Sequence, residues 1–341
     1  MEIKDLTIKD IAKIAGVSTM TVSRVINNEK YVKTETKDRV LKLILEYGYE
    51  PNFFAKSLKS RKSKTIGLII GDIENPYYSR LAKGVIDVAE SSDYNVIVCN
   101  SKYKAELSER YINMLIKKGV DGVLIATVDV FSELINKLNK RDIPFVLITR
   151  KLDLPGINYI TADDYLGGRI AAEYLISLGH KKIFFLKAAN VWGSNERIRA
   201  FTDVLKENSI YYDESYFSDY LENLDQSYNT TKKFLTEDKN KNFTAIIGGN
   251  DFLAIGAMEA IIESGLNIPE DISLIGYDNL NITSILKVSL TTVQQPKLRF
   301  GELATKRIIQ MIENHEETKK NPQKLVIKPE LVIRKSCRKL D

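Results

Sequence analysis

Apolar residues at the start of the chain recur at helical spacing. The first apolar stripe repeats every three or four residues, and Thr7 can cap it while Gly16 can end it. Ser18 can cap a second helix directly after the turn that contains Val17. The two stripes consist of Ile8, Ile11, Ala12 and Ala15, and of Val22, Val25 and Ile26. Two short helices joined by so tight a turn predict a helix-turn-helix.

A third helix is predicted from about Thr34 to Tyr47, and Gly48 ends it. Together the three helices form a small all-α head in residues 1–49. The residues predicted to face inward from the third helix are Val40, Leu41, Ile44 and Leu45.

From Lys64 onward, β-branched apolar runs alternate with helical stripes. The run TIGLIIGDI is typical of a buried parallel strand, and YNVIVCNS, VDGVLIA and IPFVLITR continue the series. A second series begins near Asn158 and contains the runs KIFFLKA, TAIIGGN and DISLIGYDN. Each series predicts a doubly wound parallel sheet flanked by helices, so the body is expected to be α/β with two lobes and a cleft.

Net charge is distributed unevenly along the 341 residues. The whole chain carries +5, and the first 62 residues alone carry +5, with 13 Lys and Arg against 8 Asp and Glu. The last 21 residues carry +4, with 6 against 2, so the middle of the chain is acidic. A basic head on an acidic body predicts a polyanion as the partner of the head.

Cysteine and histidine usage limits the chemistry. Cys99 and Cys337 lie far apart, and His180 and His315 have no metal-ligand spacing. Free thiols indicate a reducing compartment. No apolar run reaches the roughly 18 residues of a membrane span, and the charged N-terminus lacks the apolar stretch of a secretory signal. A cytoplasmic protein is expected, with no membrane contact, metal or cofactor.

The exposed face of the second helix carries small, polar and cationic side chains that suit base edges and phosphates in a major groove. Arg24 is the candidate for a bidentate contact with guanine. Hydroxyl and amide groups at positions 18, 21, 23 and 27 suit phosphate oxygens, which position a helix without specifying sequence. The predicted DNA-contacting residues of the head are Thr7, Ser18, Thr19, Met20, Thr21, Ser23, Arg24, Asn27 and Tyr49.

The segment TIKDIAKIAGVSTMTVSRVIN, followed by VKTETKDRVLKLILEYGYEPNFFAKSLKSRKSKTIGLII, resembles the head and hinge of the lactose/galactose-repressor family of bacterial transcription factors. The resemblance implies a hinge in residues 50–63 whose short helix forms only on DNA, because so short a helix is unstable alone. It also implies that Leu58 wedges between base pairs in the minor groove. Asn52 and Lys59 are further DNA contacts on the same basis.

Residues 64–341 resemble the sugar-binding body of the same repressors and of periplasmic pentose- and hexose-binding proteins. The predicted fold is therefore an all-α helix-turn-helix head plus an α/β two-lobe body like that of periplasmic binding proteins, with doubly wound parallel sheets. One lobe is expected to comprise about residues 64–157 plus 281–320, and the other about 158–280 plus 321–341. The resemblance assigns effector binding to Asn75, Tyr77, Tyr78, Arg150, Trp192, Arg197, Tyr220, Asn250, Asp278 and Gln294.

These side chains suit a sugar, which needs donors and acceptors for its hydroxyls and aromatic rings for its C–H faces. Arg150 and Arg197 can each grip two oxygens, and Asp278 and Asn250 can accept from hydroxyls. Thr149 stands where many sugar binders have an aspartate, so one hydroxyl contact is missing from the family pattern. Two arginines in one cleft also leave an acidic sugar or a sugar phosphate open as the effector.

A catalytic constellation is not recognisable, and no catalytic residue is predicted. The sequence has no GxxxxGK[ST] phosphate loop, and Gly167 and Gly168 lie at a helix start. Asp163 and Asp164 are interpreted as a helix cap and a first-turn acid. An enzyme is therefore disfavoured. A transport binding protein is disfavoured too, because it needs a signal peptide and has no use for the head.

The predicted function is a sequence-specific DNA-binding transcriptional regulator, a repressor released from its operator by a sugar or sugar-derived effector. A homodimer is expected to place two heads on a pseudo-palindromic operator. Closure of the cleft is expected to separate the two tethers and melt the hinge helices. A corepressor or a phosphoprotein partner stays open as an alternative. The Lys and Arg residues of the last strand, KLVIKPELVIRKS, are expected at the surface without a specific role.

Overall fold

The computed structural model describes residues 6–26, 29, 31–49, 62–126, 132–152, 154–189, 191–237 and 243–340. The chain divides into two compact units, Met1–Ser63 and Lys64–Asp341. The second unit starts at the residue where the sequence pattern changes. The hinge helix predicted in residues 50–63 falls almost wholly outside the described residues.

The described part of the head consists of three helices, α1 (Ile8–Ala15), α2 (Thr19–Ile26) and α3 (Thr34–Glu46). The main-chain N–H of Thr7 donates to the Asp10 carboxylate over 2.9 Å at the start of α1. Gly16 ends α1 with a φ of 66°, a left-handed conformation that favours glycine. Ser18 Oγ accepts from the N–H of Thr21 over 3.1 Å at the start of α2. Each of these helix ends is therefore set by residues within three positions of it.

The head core is small and joins all three helices. Two inward positions predicted for α3 are wrong, because Leu41 is 38% exposed and Leu45 is 83% exposed. The inward stripe of α3 runs through Val40, Leu43 and Ile44, so positions 41 and 45 fall beside it. The buried residues of the head core are Ile11, Ala12, Ala15, Val22, Val25, Val40 and Tyr49.

The strands of the body are β1 (Thr65–Ile70), β2 (Asn95–Asn100), β3 (Gly122–Ala126), β4 (Phe145–Ile148), β5 (Tyr159–Ala162), β6 (Ile183–Leu186), β7 (Ala245–Gly248), β8 (Ser273–Asp278), β9 (Thr291–Gln294), β10 (Lys324–Ile327) and β11 (Glu330–Val332). The first sheet is parallel, in the order β10-β5-β4-β3-β1-β2, with Ile66 of β1 aligned to Val96 and Gly122 of its neighbours. The second sheet has the order β11-β9-β8-β7-β6 and is parallel except for β11, which runs antiparallel to β9.

The two sheets correct the predicted lobe boundaries. β5 and β10 were assigned to the second lobe, but β5 pairs with β4 and β10 pairs with β5, both in the first sheet. β9 was assigned to the first lobe but pairs with β8 in the second sheet. The first lobe therefore comprises residues 64–162 and 297–327, and the second comprises 163–294 and 330–340. The points where the chain passes from one lobe to the other were not predicted. Each connecting segment there has only one or two residues between the flanking helix or strand elements.

Helices cover both faces of each sheet. They are α4 (Pro76–Ser91), α5 (Ala105–Lys118), α6 (Ser132–Asn139), α7 (Asp164–Ser177), α8 (Trp192–Glu207), α9 (Leu224–Glu237), α10 (Asp251–Glu263), α11 (Lys297–Glu313) and α12 (His315–Lys320). In β1, Ile66 and Leu68 pack toward α4 and α11, whereas Ile69 packs toward α5 and α6. Among the described helices, none is both long and apolar enough to cross a bilayer. Because both sheet faces are covered, the strand ends are the places left for a ligand.

α4 and α11 cross at a glycine on each helix. A Cβ on Gly301 would overlap the main chain of Leu81, and a Cβ on Gly84 would overlap the main chain of Leu298. Gly301→Ala is therefore expected to lower the free energy of unfolding by about 1–3 kcal/mol, because the two backbones must separate. Urea unfolding followed by circular dichroism measures the change. Lys306→Ala, at an exposed position of the same helix, is the control and should stay within about 0.5 kcal/mol. Wild-type stability in Gly301→Ala would contradict this crossing.

The C-terminal segment packs against the second lobe. Arg334 donates to the Leu290 carbonyl over 2.6 Å, to Thr283 Oγ1 over 3.1 Å and to Asn279 Oδ1 over 2.7 Å. Ser336 is fully buried. The expectation that the arginines of this strand only cover the surface is therefore wrong for Arg334.

Candidate functional site

A cleft between the two lobes opens at the carboxyl ends of the strands. Its cavity volume is about 70 Å³ in this structure, below the about 300–1,000 Å³ common for pockets that bury a drug-sized ligand. Further lining residues that were not predicted as effector contacts include Tyr103, Thr149, Asp164, Ser194 and Gln295. The predicted effector residues that line the cleft are Asn75, Tyr77, Tyr78, Arg150, Trp192, Arg197, Asn250 and Asp278.

Two predicted effector residues do not line the cleft. Tyr220 is 41% exposed, and its hydroxyl donates to Asn195 Oδ1 over 2.8 Å beside the cleft. Gln294 lies in β9 opposite Asp278, and its Oε1 accepts from Asn279 Nδ2 over 2.7 Å. Successive residues of an extended chain point to opposite sides. Gln295, the next residue, therefore faces the cleft in place of Gln294.

Arg197 of α8 is held by three neighbouring groups. Its Nε donates to Asp164 Oδ1 over 2.8 Å, and its Nη2 lies 2.7 Å from the same oxygen. Its Nη1 donates to the Gly249 carbonyl over 2.8 Å, and the guanidinium carbon lies 3.7 Å from the ring centroid of Tyr277. A guanidinium has five N–H donors. One N–H on each Nη is therefore left to reach a ligand.

Asp164 is the counter-ion of this buried arginine. Its side chain is 2% exposed and also accepts from the Tyr277 hydroxyl over 3.2 Å. Burial acts to lower the pKa of Arg197, but Asp164, Tyr277 and Asp278 together outweigh that effect and hold the pKa above its usual range. The helix cap is Asp163, whose Oδ1 accepts from the N–H of Leu166 over 2.9 Å. The prediction that Asp163 caps the helix is thus confirmed. Asp164 was predicted only as a first-turn acid, and its ion pair with Arg197 was not predicted.

Two adjacent glycines of α7 are the sequence signal for this ion pair. A Cβ on Gly167 would overlap the Tyr277 hydroxyl, and a Cβ on Gly168 would overlap the main chain of Arg197. Glycine inside a helix weakens it, so it usually has a packing or functional reason. Here the reason is packing: Tyr277 and Arg197, which both contact Asp164, approach the backbone of α7 closely at these two glycines.

Asp278 ends β8 and is buried in the cleft wall. Gln295 Nε2 donates to its Oδ1 over 2.9 Å, and the Tyr77 hydroxyl donates to Gln295 Oε1 over 3.4 Å. Burial raises the pKa of Asp278 to about 7 in spite of the nearby Arg197, which acts to lower it. The carboxyl group therefore changes its charge near neutral pH.

Aromatic rings of the first lobe form the facing wall. Tyr77 and Tyr78 meet edge to face with their ring centroids 5.2 Å apart. Tyr103 lies 6.1 Å from Tyr78, and burial raises its pKa to about 12. A neutral phenol can both donate and accept a hydrogen bond. This wall therefore offers apolar rings and neutral hydroxyls side by side.

Two helix N-termini at the cleft are capped by asparagine. Asn75 Oδ1 accepts from the N–H of Tyr77 over 2.9 Å at the start of α4. Asn250 Oδ1 accepts from the N–H of Leu253 over 2.8 Å at the start of α10. The cap of α10 thus uses the oxygen of Asn250 that was predicted to accept from a hydroxyl.

The strand end that carries Arg150 is strained. The preceding Thr149 has a φ of 66°, which is uncommon for a β-branched residue. Its main-chain N–H donates to the Ile160 carbonyl over 2.9 Å, which holds the strand end against β5. Strain of this kind costs about 1–3 kcal/mol and is concentrated at ligand and active sites.

The exposed face of α2 carries most of the predicted DNA-contacting residues. Thr19, Met20 and Arg24 are exposed, and Thr21 and Ser23 are half-buried. Arg24 Nε lies 3.6 Å from a carboxylate oxygen of Glu29, with both side chains about half exposed. So exposed a pair contributes little stability, and the guanidinium can leave it for DNA.

The remaining predicted DNA contacts divide into three groups. Thr7 and Ser18 are exposed at the starts of α1 and α2. Tyr49 is buried in the head core, so its ring is not presented with the α2 side chains. The residues outside the described part of the chain are Asn27, Asn52, Leu58 and Lys59.

The helix-turn-helix head and the two-lobe body with its cleft define a DNA-binding regulator that responds to a small molecule. Two family models match the sequence: bacterial regulatory proteins of the lacI family over residues 7–52, and periplasmic binding proteins and sugar-binding domain of the LacI family over residues 63–335. The chain belongs to the LacI family. The predicted family and fold class are confirmed.

Relatives along the whole chain have the same function class. The HTH-type transcriptional repressor PurR of Histophilus somni (strain 129Pt) is 34% identical over 336 residues, 98% of this chain and 99% of that one. The lac repressor dimer bound to operator and the anti-inducer ONPF has a TM-score of 0.85 at 26% identity, covering 98% and 100%. A LacI-family regulator from Enterococcus faecium with bound ribose has a TM-score of 0.72 at 30% identity, covering 81% and 100%. The protein is a DNA-binding transcriptional regulator, as predicted, and not an enzyme.

Proposed function

We propose that the protein is a repressor that binds a pseudo-palindromic operator as a homodimer and is released when a sugar-like effector fills the cleft. The observation that carries this proposal is a cleft whose two walls belong to different lobes. A ligand that touches both walls favours one arrangement of the lobes, and can thereby change the affinity of a second site. The ribose-bound regulator and the operator-bound lac repressor support the two halves of this proposal.

The side chains of the cleft match the chemistry of a sugar. Arg197 offers two N–H donors, and Asp278 offers a carboxylate oxygen to hydroxyls of the ligand. Tyr77, Tyr78 and Trp192 offer rings on which C–H faces can pack. The hydroxyl groups of a sugar can accept from Arg197 and donate to Asp278. A purely apolar ligand would leave these protein donors and acceptors without hydrogen bonds.

The ion pair of one of the two cleft arginines favours a neutral sugar. Because the sequence places two arginines, Arg150 and Arg197, in the cleft, an acidic sugar or a sugar phosphate was an alternative effector. The charge of Arg197 is matched by Asp164, which contacts it directly. Since a matched arginine gains less from a second anion, a neutral polyol is the effector class we propose.

A dimer and a cytoplasmic location complete the proposal. The lac repressor was solved as a dimer on its operator, and two heads read two half-sites of a palindrome. Cys99 and Cys337 are free thiols, as expected of a reducing compartment. Sedimentation of the full-length protein should give twice the mass of one 38.7 kDa chain. A stable monomer at micromolar concentration would contradict the dimer.

A thermal-shift screen of pentoses, hexoses, uronates and their phosphates tests the effector class. A sugar at 100 times its dissociation constant adds about 2.7 kcal/mol to the free energy of unfolding, and so raises the melting temperature. Neutral sugars are expected among the hits. The control is Asp278→Asn, in which the same sugar should give a much smaller shift. Stabilisation by anionic sugars alone would contradict the proposed class.

The affinity of the effector is expected to depend on pH through Asp278. Its pKa of about 7 means that below neutral pH the carboxyl is increasingly protonated, and a neutral carboxyl is a weaker acceptor for a hydroxyl than a carboxylate. The dissociation constant should therefore rise up to about tenfold for each pH unit below 7 and level off above about pH 8. Isothermal titration from pH 5.5 to 8.5 measures this. Asp278→Asn should bind weakly without that slope. A flat profile in the wild type would show that Asp278 does not accept from the ligand.

A further inference from the structure

A buried lysine lies directly behind the cleft. Lys297 is 7% exposed at the start of α11. Its Nζ donates to the main-chain carbonyl of Asp278, to that of Asn279 over 3.2 Å and to that of Gln295 over 3.4 Å. Burial of an ammonium group is costly unless its hydrogen bonds are satisfied. Three converging carbonyls meet that requirement.

The turn that Lys297 holds is conformationally strained. Asp278 has a φ of 119° and Asn279 a φ of 52°, both in the left-handed region that favours glycine. Asn279 is fixed further by the Thr292 hydroxyl, which accepts from its N–H over 3.2 Å, and by Arg334 Nη2, which donates to its Oδ1 over 2.7 Å. A strained turn persists only where its surroundings define it, so these contacts set the direction of the Asp278 carboxyl group.

Lys297 also lies where the chain crosses from the second lobe to the first. β9 ends in the second sheet at Gln294, and α11 begins in the first lobe at Lys297. The Nζ of Lys297 thus joins the start of a first-lobe helix to the end of the second-lobe strand β8. Gln295 between them bridges Tyr77 of the first lobe and Asp278 of the second. The crossing segment is therefore fastened to both walls of the cleft.

We propose that Lys297 is a positioning residue for effector recognition, which holds the Asp278–Asn279 turn and ties the second-lobe wall to α11. The inference rests on the proposed function in one respect, since it takes Asp278 to be an effector contact. The role is distinct from ligand contact, because Lys297 is not among the residues that line the cleft.

The charges around the turn make this role measurable. Arg197 and Lys297 act to lower the pKa of Asp278, whereas burial and the buried Asp251 raise it. Burial lowers the pKa of Lys297, Asp278 and Asp251 raise it, and Arg80 lowers it. Removal of the Lys297 charge should therefore make Asp278 harder to ionise.

A titration without effector tests the positioning role. Trp192 is the only tryptophan and lines the same cleft as Asp278, so its fluorescence between pH 5.5 and 9 can follow the ionisation of that carboxyl group. The variants are Lys297→Gln, which keeps an N–H donor but loses the charge, and Lys297→Arg, which keeps the charge. Asp278→Asn is the control and should remove the transition.

Lys297→Gln is expected to raise the midpoint by roughly 1 unit or more, whereas Lys297→Arg should leave it at the wild-type value. A sugar that binds the wild type should bind Lys297→Gln at least about tenfold more weakly at pH 7. An unchanged midpoint in Lys297→Gln, an equal shift in both variants or undiminished sugar affinity would each overturn the inference. If no sugar binds the wild type, the proposed effector fails, but the titration still decides the role of Lys297.

Discussion

Arg197→Ala is expected to abolish the response of operator binding to the effector and to weaken effector binding at least about 100-fold. Each lost hydrogen bond from a charged donor costs about 1.5–3 kcal/mol, and two N–H groups of Arg197 are placed to reach the ligand. The same substitution should lower the free energy of unfolding by about 3–5 kcal/mol, because it leaves the Asp164 carboxylate buried without its counter-ion.

A double variant separates recognition from stability. In Arg197→Gln with Asp164→Asn, neutral amides replace both ions, and Tyr277 keeps an acceptor at position 164. This protein should recover most of the lost stability, measured by urea unfolding, while isothermal titration still detects little effector binding. Wild-type effector affinity in the double variant would show that the ion pair is structural and that the ligand binds elsewhere.

Arg24→Ala is expected to reduce operator affinity by about 1–3 kcal/mol, roughly 5- to 150-fold, and to relax preference for the base pair that it contacts. Its guanidinium is exposed on α2, and its ion pair with Glu29 is too exposed to hold it back. Effector binding should be unchanged, because the cleft is built entirely from residues of the body.

Arg39→Ala is the matched control for Arg24. It removes an equal charge from an exposed position of α3 rather than of α2. Fluorescence anisotropy at fixed salt should show a small loss for Arg39→Ala that is similar on operator and random DNA. An equal loss for the two variants on operator DNA would mean that Arg24 contributes only charge and does not contact a base.

Much of the head could be predicted because its signals are local. The Asp10 carboxylate accepts from the N–H of Thr7, Ser18 accepts from the N–H of Thr21, and Gly16 takes a left-handed conformation, so residues within three positions of each end locate the two helices. Leu41 and Leu45 were misplaced because a helical stripe predicts which residues lie near one another on a helix. It does not predict how much of that stripe the other two helices can cover.

The cleft was only partly predictable because its critical contacts join distant parts of the chain. The ion pair between Asp164 and Arg197 spans 33 residues, and the link from Tyr77 to Gln295 spans 218. Family resemblance located Arg197 and Asp278, but it placed the crossing glutamine one residue early. Which of two adjacent glutamines faces the cleft depends on where β9 ends, and that end is set by its pairing with β8.

Operator affinity measured with the cleft empty and filled is the most direct test of the account. Labelled operator DNA is titrated with full-length protein at fixed salt, first alone and then with a saturating sugar that binds the wild type much more tightly than Asp278→Asn. The sugar is expected to weaken operator binding by about 100-fold, or 2.7 kcal/mol. The same operator affinity in both titrations, with the sugar shown to occupy the cleft, would contradict the proposed function.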